Sequence, residues 1–476
     1  MRRLLLFVPL IAAAGCAVNP ATGQRELMLV SEGQEIGLGR EADPDIVGAY
    51  GLYPDSALQV YVQGLGERLA AQSERLNLPW TFRVLDDPVV NAFALPGGFN
   101  YVTRGILTYF NSEAELVAVM GHELGHVTAR HGARQMSQQQ FAQIGLVAGL
   151  ILVPKFQDFA GLAQAGLGLM FLSFSRGDET QADELGLRYM YRAGYDPREM
   201  PKVFAMLDRV SQAAGGDRLP QWLSTHPNPE NRQQHMAELI AQLPQDFSGR
   251  LVRRDEYLRR LDGMTFGPNP REGFFRGSLF LHPDLQFQLR FPEGWKTSNQ
   301  KSAVLAQSPQ QDALMQVTVV GESTPDAAVR TFLTQPGITG GGISSQSVNG
   351  LPAASAGFRA TTQQATLAGQ VTAIRYGGMT YRLLAYASEA RWPAYQGAAR
   401  ASIQSFERVT DAAALAVQPL TIAIVQADRA MTLEQFHQRF PSQVDIAAVG
   451  RVNQVDPGAR FAAGQLIKRI VGGPLP

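Results

Sequence analysis

The chain has one cysteine in 476 residues, Cys16, so no internal disulfide framework holds it together. It has no surplus of either charge, since 42 basic and 42 acidic residues cancel, and this balance points to no nucleic-acid partner. It also lacks a long hydrophobic run. Leu4 to Ala14, Ile144 to Pro154 and Phe159 to Phe174 are nearly free of charge, yet each falls short of the roughly 20 residues a membrane-spanning helix needs. No internal repeat of tetratricopeptide length is present. What remains is ordinary globular composition, with 45% apolar and 18% charged residues. The length suggests about three domains of about 150 residues each.

The first informative segment is the N-terminus. Arg2 and Arg3 precede the apolar stretch Leu4 to Ala14, the layout of a secretory signal. Ala13-Ala14-Gly15 then lead into Cys16. Small residues before a lone Cys resemble the lipobox of bacterial lipoproteins, which implies a signal peptide at 1–15 and lipidation at Cys16. A plain signal peptide with an incidental Cys is the alternative. Ala17, where Asp is absent, fits outer-membrane sorting within that resemblance.

Further along, Ser31 and Gln34 are spaced as a capping box for a short helix. Apolar residues recur at helical spacing from Leu58 to Gln72. Trp80 to Leu85, Val89 to Leu95 and Phe99 to Thr103 read as strands, with Pro96-Gly97-Gly98 as a turn. Ser112 and Glu115 form a second capping box at the start of a helix. Lys155 and Asp158 separate the two apolar stretches at 144–174, which read as buried or site-covering helices or as a monotopic membrane contact. Helices are expected at Asp178 to Arg192, Arg198 to Gln212 and Pro229 to Leu243. Gly267-Pro268-Asn269-Pro270 reads as a linker. Beyond it, Leu285 to Phe291, Leu314 to Val320, Thr366 to Tyr376 and Thr380 to Tyr386 alternate as strands, and Asp326 to Leu333 and Arg391 to Ser405 read as helices.

The chemistry is concentrated at Gly121 to His126, GHELGH. Residues four apart share a helix face, so His122 and His126 present nitrogens to one ion at about 2.0–2.1 Å. Glu123 is offset by about 100° and sits beside the metal, where a base for an attacking water belongs. The apolar run Leu116, Val117, Val119 and Met120 leads into the motif and buries this helix. A third ligand has to come from elsewhere. The metzincin pattern would need a His at position 132, which is Gly132. Asp158 falls in a loop-like gap, whereas Glu179 opens the helical run ETQADELG. Glu179 is therefore the expected third ligand. Asp183, on the same face, is expected to orient a ligand His or to form a plain salt bridge.

These residues carry a resemblance. His122-Glu123-Leu124-Gly125-His126, with Ser175-Arg176-Gly177-Asp178-Glu179-Thr180-Gln181-Ala182-Asp183, is similar to the gluzincin-type zinc metalloendopeptidases that include the CAAX prenyl protease, HtpX and BepA. The resemblance covers about residues 25–245. It implies one zinc ion and an α+β fold, with a mainly helical metallopeptidase domain at 16–265 that contains a small sheet. It also implies that the strand at Asn91, Ala92, Phe93 and Ala94 pairs with an extended substrate. Ser224-Thr225-His226-Pro227 with Arg232 resembles a further element of the family. Arg232 is thereby expected among the substrate-binding residues. His226 is expected as a fourth, inhibitory zinc ligand, as an oxyanion donor, or as a simple helix-entry turn. His131, His235, His282 and His437 are assigned no chemistry.

An α+β domain is expected at 271–408, where LQFQLRFPEGW resembles the opening of PsbP-like domains. At 418–473, Thr432 to Phe440, Val452 to Gly458 and Ala463 to Leu466 resemble a degenerate LysM module. Ala430 and Met431 stand where its usual Gly-Asp would be, so peptidoglycan binding and protein contact both stay open. The leading expectation for the whole is a lipid-anchored periplasmic protease, at the outer membrane, acting on unfolded or misassembled envelope proteins. The rivals are a chaperone or assembly factor with a latent protease fold, and a wall-binding scaffold.

Overall fold

The computed structural model describes residues 16–146, 174–213, 222, 225–226, 232–361 and 366–474. The expected leader at 1–15 and most of the apolar pair at 144–174 lie outside the described residues. Among the described residues, no helix is long and apolar enough to cross a membrane.

Strands β1 (Cys16–Val18) and β2 (Arg25–Leu27) form an antiparallel hairpin. Ser31 and Gln34 close the capping box of α1 (Glu32–Tyr50). That helix is 19 residues long rather than short, because Ala42 and Ile46 pack one side of it on the sheet that follows. Helix α2 (Ser56–Ala70) starts on Asp55 and buries Leu58, Val62, Leu65 and Leu69, the spacing of one helix face. The sheet comprises β3 (Thr81–Leu85), β4 (Ala92–Leu95) and β5 (Phe99–Thr103) in the order β3-β5-β4. β4 is antiparallel to β5 and forms an edge.

Helix α3 (Glu113–Thr128) carries the GHELGH motif, and all of its residues are buried. A helix covered on every side belongs in a core. Ser112 caps it by accepting from Glu115 N. The expected second capping box does not close, because the Glu115 carboxylate accepts from Asn111 N at 2.8 Å and from Gln454 Nε2 at 2.7 Å. After α3 the chain reverses at Arg130, whose φ of 60° is left-handed, and α4 (His131–Leu146) begins. A non-glycine residue holds that conformation only when its surroundings impose it. Here Arg130 is pinned by an ion pair with Glu35 and by a hydrogen bond from Nη2 to Val30 O at 2.7 Å. Arg75 also pairs with Glu35 and donates to Val127 O at 2.9 Å, tying α1 to the end of α3.

Helix α5 (Arg176–Arg192) starts on a capping box between Ser175 and Asp178 and packs directly against α3. Glycines permit the close approach. A Cβ at Gly125 would lie 2.9 Å from Ala182 O, and one at Gly186 would lie 2.8 Å from His122 N. Helices α6 (Met200–Ala213), α7 (Arg232–Ala241) and α8 (Arg254–Arg260) complete this region.

The expected linker at 267–270 is tied down, since Arg104 Nη1 donates to Gly267 O at 2.7 Å and to Thr265 O at 3.1 Å. An eight-stranded antiparallel sheet follows, with Ala313–Val320, Leu351–Thr361, Thr366–Tyr376 and Met379–Ser388 as its long strands. Helix Trp392–Gln404 packs on one face, through Ala399 and Ile403, and helix Pro325–Leu333 packs on the other, through Ala328 and Val329. The last segment returns to the start. β6 (Thr265–Phe266) and β8 (Leu466–Gly472) flank β7 (Leu420–Gln426), and Ile422, Leu466 and Ile470 join the core that surrounds α3. Within 418–473, these three residues share a core with the helical region, while Met431, Phe436, Val449 and Ile467 cluster among themselves.

Candidate metal centre

The close crossing of α3 and α5 sets His122 and His126 opposite Glu179. Their ligand atoms and one from His226 all lie within 4.8 Å of one another, and all four residues are buried. His122 Nε2 and His126 Nε2 are 3.0 Å apart. Glu179 Oε1 lies 3.5 Å from His126 Nε2, and its Oε2 lies 3.6 Å from His122 Nε2. His226 enters from the far side, with Nδ1 3.0 Å from Glu179 Oε1 and 3.3 Å from His122 Nε2. Glu123 stands beside the cluster, where Trp222 Nε1 donates to its Oε1 at 3.0 Å.

Behind this cluster lie two supporting arms. Asp183 Oδ1 is 2.8 Å from His122 Nδ1, and Arg232 grips both Asp183 oxygens at 2.6 and 2.7 Å. The Arg232 guanidinium is itself packed over the rings of Phe204 and Trp222. On the other arm, His131 Nδ1 lies 2.8 Å from His126 Nδ1 and His131 Nε2 lies 2.7 Å from Gln181 Oε1.

These donors fit a metal ion. Asp183 accepts from His122 Nδ1, so His122 Nε2 turns its lone pair toward His126 Nε2 at 3.0 Å, an arrangement in which one cation can take both nitrogens. Among the described residues Glu179 Oε2 is buried with no hydrogen-bond partner, a further acceptor that a cation would satisfy. The electrostatics of His126 and Glu179 agree. Burial, reinforced by three neighbouring imidazoles, holds His126 well below the usual histidine range, which leaves it neutral for ligation. Burial pushes His131 down to about 4. For Glu179, burial acts upward but His226, His122 and Arg232 outweigh it and hold the carboxyl below its ordinary value. For Asp183, burial is likewise outweighed, here by Arg232 and His122. For His226, burial acts downward, but Glu179 and Glu123 prevail and raise it.

The structure thus brings together His122, Glu123, His126, Glu179, Asp183 and His226. Arg232, expected to bind substrate, is buried and committed to Asp183. Asn91 is buried just before β4, while Ala94 and Leu95 of the edge line a cavity of about 20 Å³ with His126 and Phe174. Cys16 opens β1 and is remote in sequence from all of these. Three members of the site carry no sequence expectation: His131, Gln181 and Trp222. For Trp222 a signal existed, since it precedes His226 by one helical turn, and His226 N donates to Trp222 O at 2.8 Å. For His131 the signal needed is the reversal at Arg130, which no local pattern announces.

The arrangement is a buried cluster that could hold one metal ion on an HExxH helix, with an acid beside it. Residues 56–240 match the model described as Peptidase family M48. The chain is 32% identical over 244 residues to the beta-barrel assembly-enhancing protease of Escherichia coli (strain K12), covering 48% of this chain and 50% of that one. It is 39% identical over 170 residues to the mitochondrial metalloendopeptidase OMA1 of Arabidopsis thaliana, covering 36% of this chain and 33% of that one. The chain therefore spans half the length, or less, of these curated relatives. A solved structure, cyanobacterial PsbP from Synechocystis, aligns with 29% of this chain and 95% of its own at 13% identity and a TM-score of 0.24, a likeness too slight to carry an inference.

Proposed function

We propose that this chain is a zinc-dependent metalloendopeptidase of the bacterial cell envelope that cleaves misfolded or misassembled envelope proteins. The observation that carries the reading is the convergence of His122, His126, Glu179 and His226 within 4.8 Å, with Glu123 alongside. Two imidazoles and a carboxylate suit zinc at a catalytic site. A zinc ion bound there supplies Lewis-acid polarisation of the scissile carbonyl and acidifies the attacking water. Glu123 takes the proton of that water and passes it to the leaving amine. Asp183, held by Arg232, keeps His122 in the tautomer that ligates. The β4 edge at Ala92 to Ala94 offers backbone groups to an extended substrate strand.

His226 acts as an inhibitory fourth ligand in this reading, rather than as an oxyanion donor. Its Nδ1 points into the ligand cluster, and Trp222, one turn before it, occupies the Glu123 carboxylate. The M48 match and the printed names of the relatives support proteolysis. The wider kinship with the CAAX prenyl protease and HtpX belongs to the same proposal, as do a leader at 1–15, lipid on Cys16, an outer-membrane location facing the periplasm, and domains at 16–265, 271–408 and 418–473. The LysM-like reading of the last segment, with peptidoglycan as a partner, is part of it too.

The closed site favours one second reading, a chaperone or assembly factor that uses the fold without cutting. Cleavage of an unfolded protein such as casein separates the two. The expected result is chelator-sensitive cleavage by wild type and, for Glu123→Gln, zinc retained with proteolysis lost. Full activity in that variant sinks the assignment, and zinc binding without cleavage by wild type selects the second reading.

A further inference from the structure

The two histidines of the centre are supported differently. His122 leans on a carboxylate, Asp183. His126 leans on another imidazole, His131, which is almost fully buried and receives its own support from Gln181.

Proton positions along this second arm are determined by its two ends. His126 turns Nε2 toward His122 Nε2 and Glu179, and as a metal ligand that nitrogen is bare, so Nδ1 carries the proton. Nδ1–H then donates across 2.8 Å to His131 Nδ1. That nitrogen can accept only if the His131 proton is on Nε2, which donates across 2.7 Å to Gln181 Oε1. One arrangement satisfies every group. The backbone is bent to allow it: the left-handed turn at Arg130, clamped by Glu35 and Val30, folds His131 back over the end of α3. Gln181 lies on α5 between Glu179 and Asp183, so one helix supplies a ligand and the support of both imidazoles.

We infer that His131 and Gln181 form a neutral hydrogen-bond chain that orients His126 toward the metal, with His131 a positioning residue rather than a catalytic one. The inference rests on the metal-centre reading but not on proteolysis. A neutral chain holds the ring and its tautomer without adding a further carboxylate to Glu179 and Asp183, which share Arg232, or to Asp178, which lies 3.6 Å from His131 Nε2.

The test is zinc affinity, measured on the full chain by competition with a chromophoric chelator, without substrate. His131→Phe keeps a ring but offers no acceptor, and it should weaken zinc binding by about 10–100-fold. Gln181→Leu should weaken it by less, and the double variant should be no worse than His131→Phe alone, because the two act through one chain. Gln181→Glu should strengthen binding, since a carboxylate makes His131 a better acceptor and His126 a more basic ligand. A residue that merely fills space does not produce opposite shifts for Leu and Glu at position 181. Affinity within twofold of wild type in His131→Phe overturns the proposal. If that variant does not fold, equal affinities for Gln181→Leu and Gln181→Glu overturn it instead. Wild type that binds zinc yet cleaves nothing defeats the protease reading and leaves this one standing, whereas wild type that binds no zinc defeats both.

Discussion

Helix α3 meets a buried polar cluster at each end, and the two are built on opposite principles. At its C-terminal half, ligand atoms converge: two imidazole Nε2 atoms 3.0 Å apart and a Glu179 oxygen that, among the described residues, has no hydrogen-bond partner. At its N-terminal end, donors meet acceptors. Lys468 Nζ donates to Thr108 O at 2.8 Å and Phe110 O at 2.9 Å, and Gln454 Nε2 donates to Tyr109 O at 2.9 Å and to Glu115. Glu113 accepts from Tyr61 and Tyr195. A buried cluster that satisfies itself braces a fold, while one in which ligand atoms converge is shaped to hold a cation. Gln454 and Lys468 of this brace come from the last 25 residues of the chain, so the C-terminal segment is part of what holds the HExxH helix in place.

The comparison breaks first at Lys468. Lys468→Ala strands the Thr108 and Phe110 carbonyls in the core, at an expected cost of about 2–5 kcal/mol in denaturant unfolding. Zinc stoichiometry below the melting range should stay at one. A variant as stable as wild type refutes the brace, and a folded variant without zinc shows that the two ends are not separable.

The next effect is pH-dependent. Burial pushes Glu115 up to about 7 from an ordinary 4.5, while the same burial pushes Lys468 down to about 7 from 10.5. For Glu115 the folded state binds the proton more tightly than the unfolded chain does. Its contribution is therefore full below about pH 4.5 and is lost as pH rises through 7. Glu115→Gln imitates the protonated carboxyl and removes this dependence. Urea titrations at pH 4.5 and pH 7.5 should show the variant gaining on wild type by up to about 3 kcal/mol, at about 1.4 kcal/mol per pKa unit. A gap that does not change with pH contradicts a protonated Glu115.

The smallest expected effect lies at the metal end. Asp183→Asn keeps an acceptor for His122 but loses its charge, and zinc affinity should fall by about 10–100-fold, roughly 1.4–2.7 kcal/mol. Unchanged affinity by chelator competition would place the support of His122 elsewhere.

How much of this was legible before folding depends on range. The long strands Thr366–Tyr376 and Met379–Ser388 alternate in sequence and are strands in space. The Ser31 box was legible and the Ser112 box was misread, because Glu115 is drawn away by Gln454 from 339 positions downstream. The pairing of Arg232 with Asp183 was not legible for a similar reason: the two lie 49 positions apart.

By itself, the sequence determined what helical and strand periodicity can express: His122 and His126 on one face, Glu123 beside them, and Glu179 with Asp183 on another helix. Side chains three or four apart on a helix are neighbours whatever the rest of the chain does. Tertiary structure decided the partners. His131 reaches His126 only because Arg130 turns left-handed, α5 reaches α3 only because glycines let backbones touch, and Lys468 reaches Phe110 across 358 positions. Such contacts depend on how separate elements pack, and no local period in the chain records them.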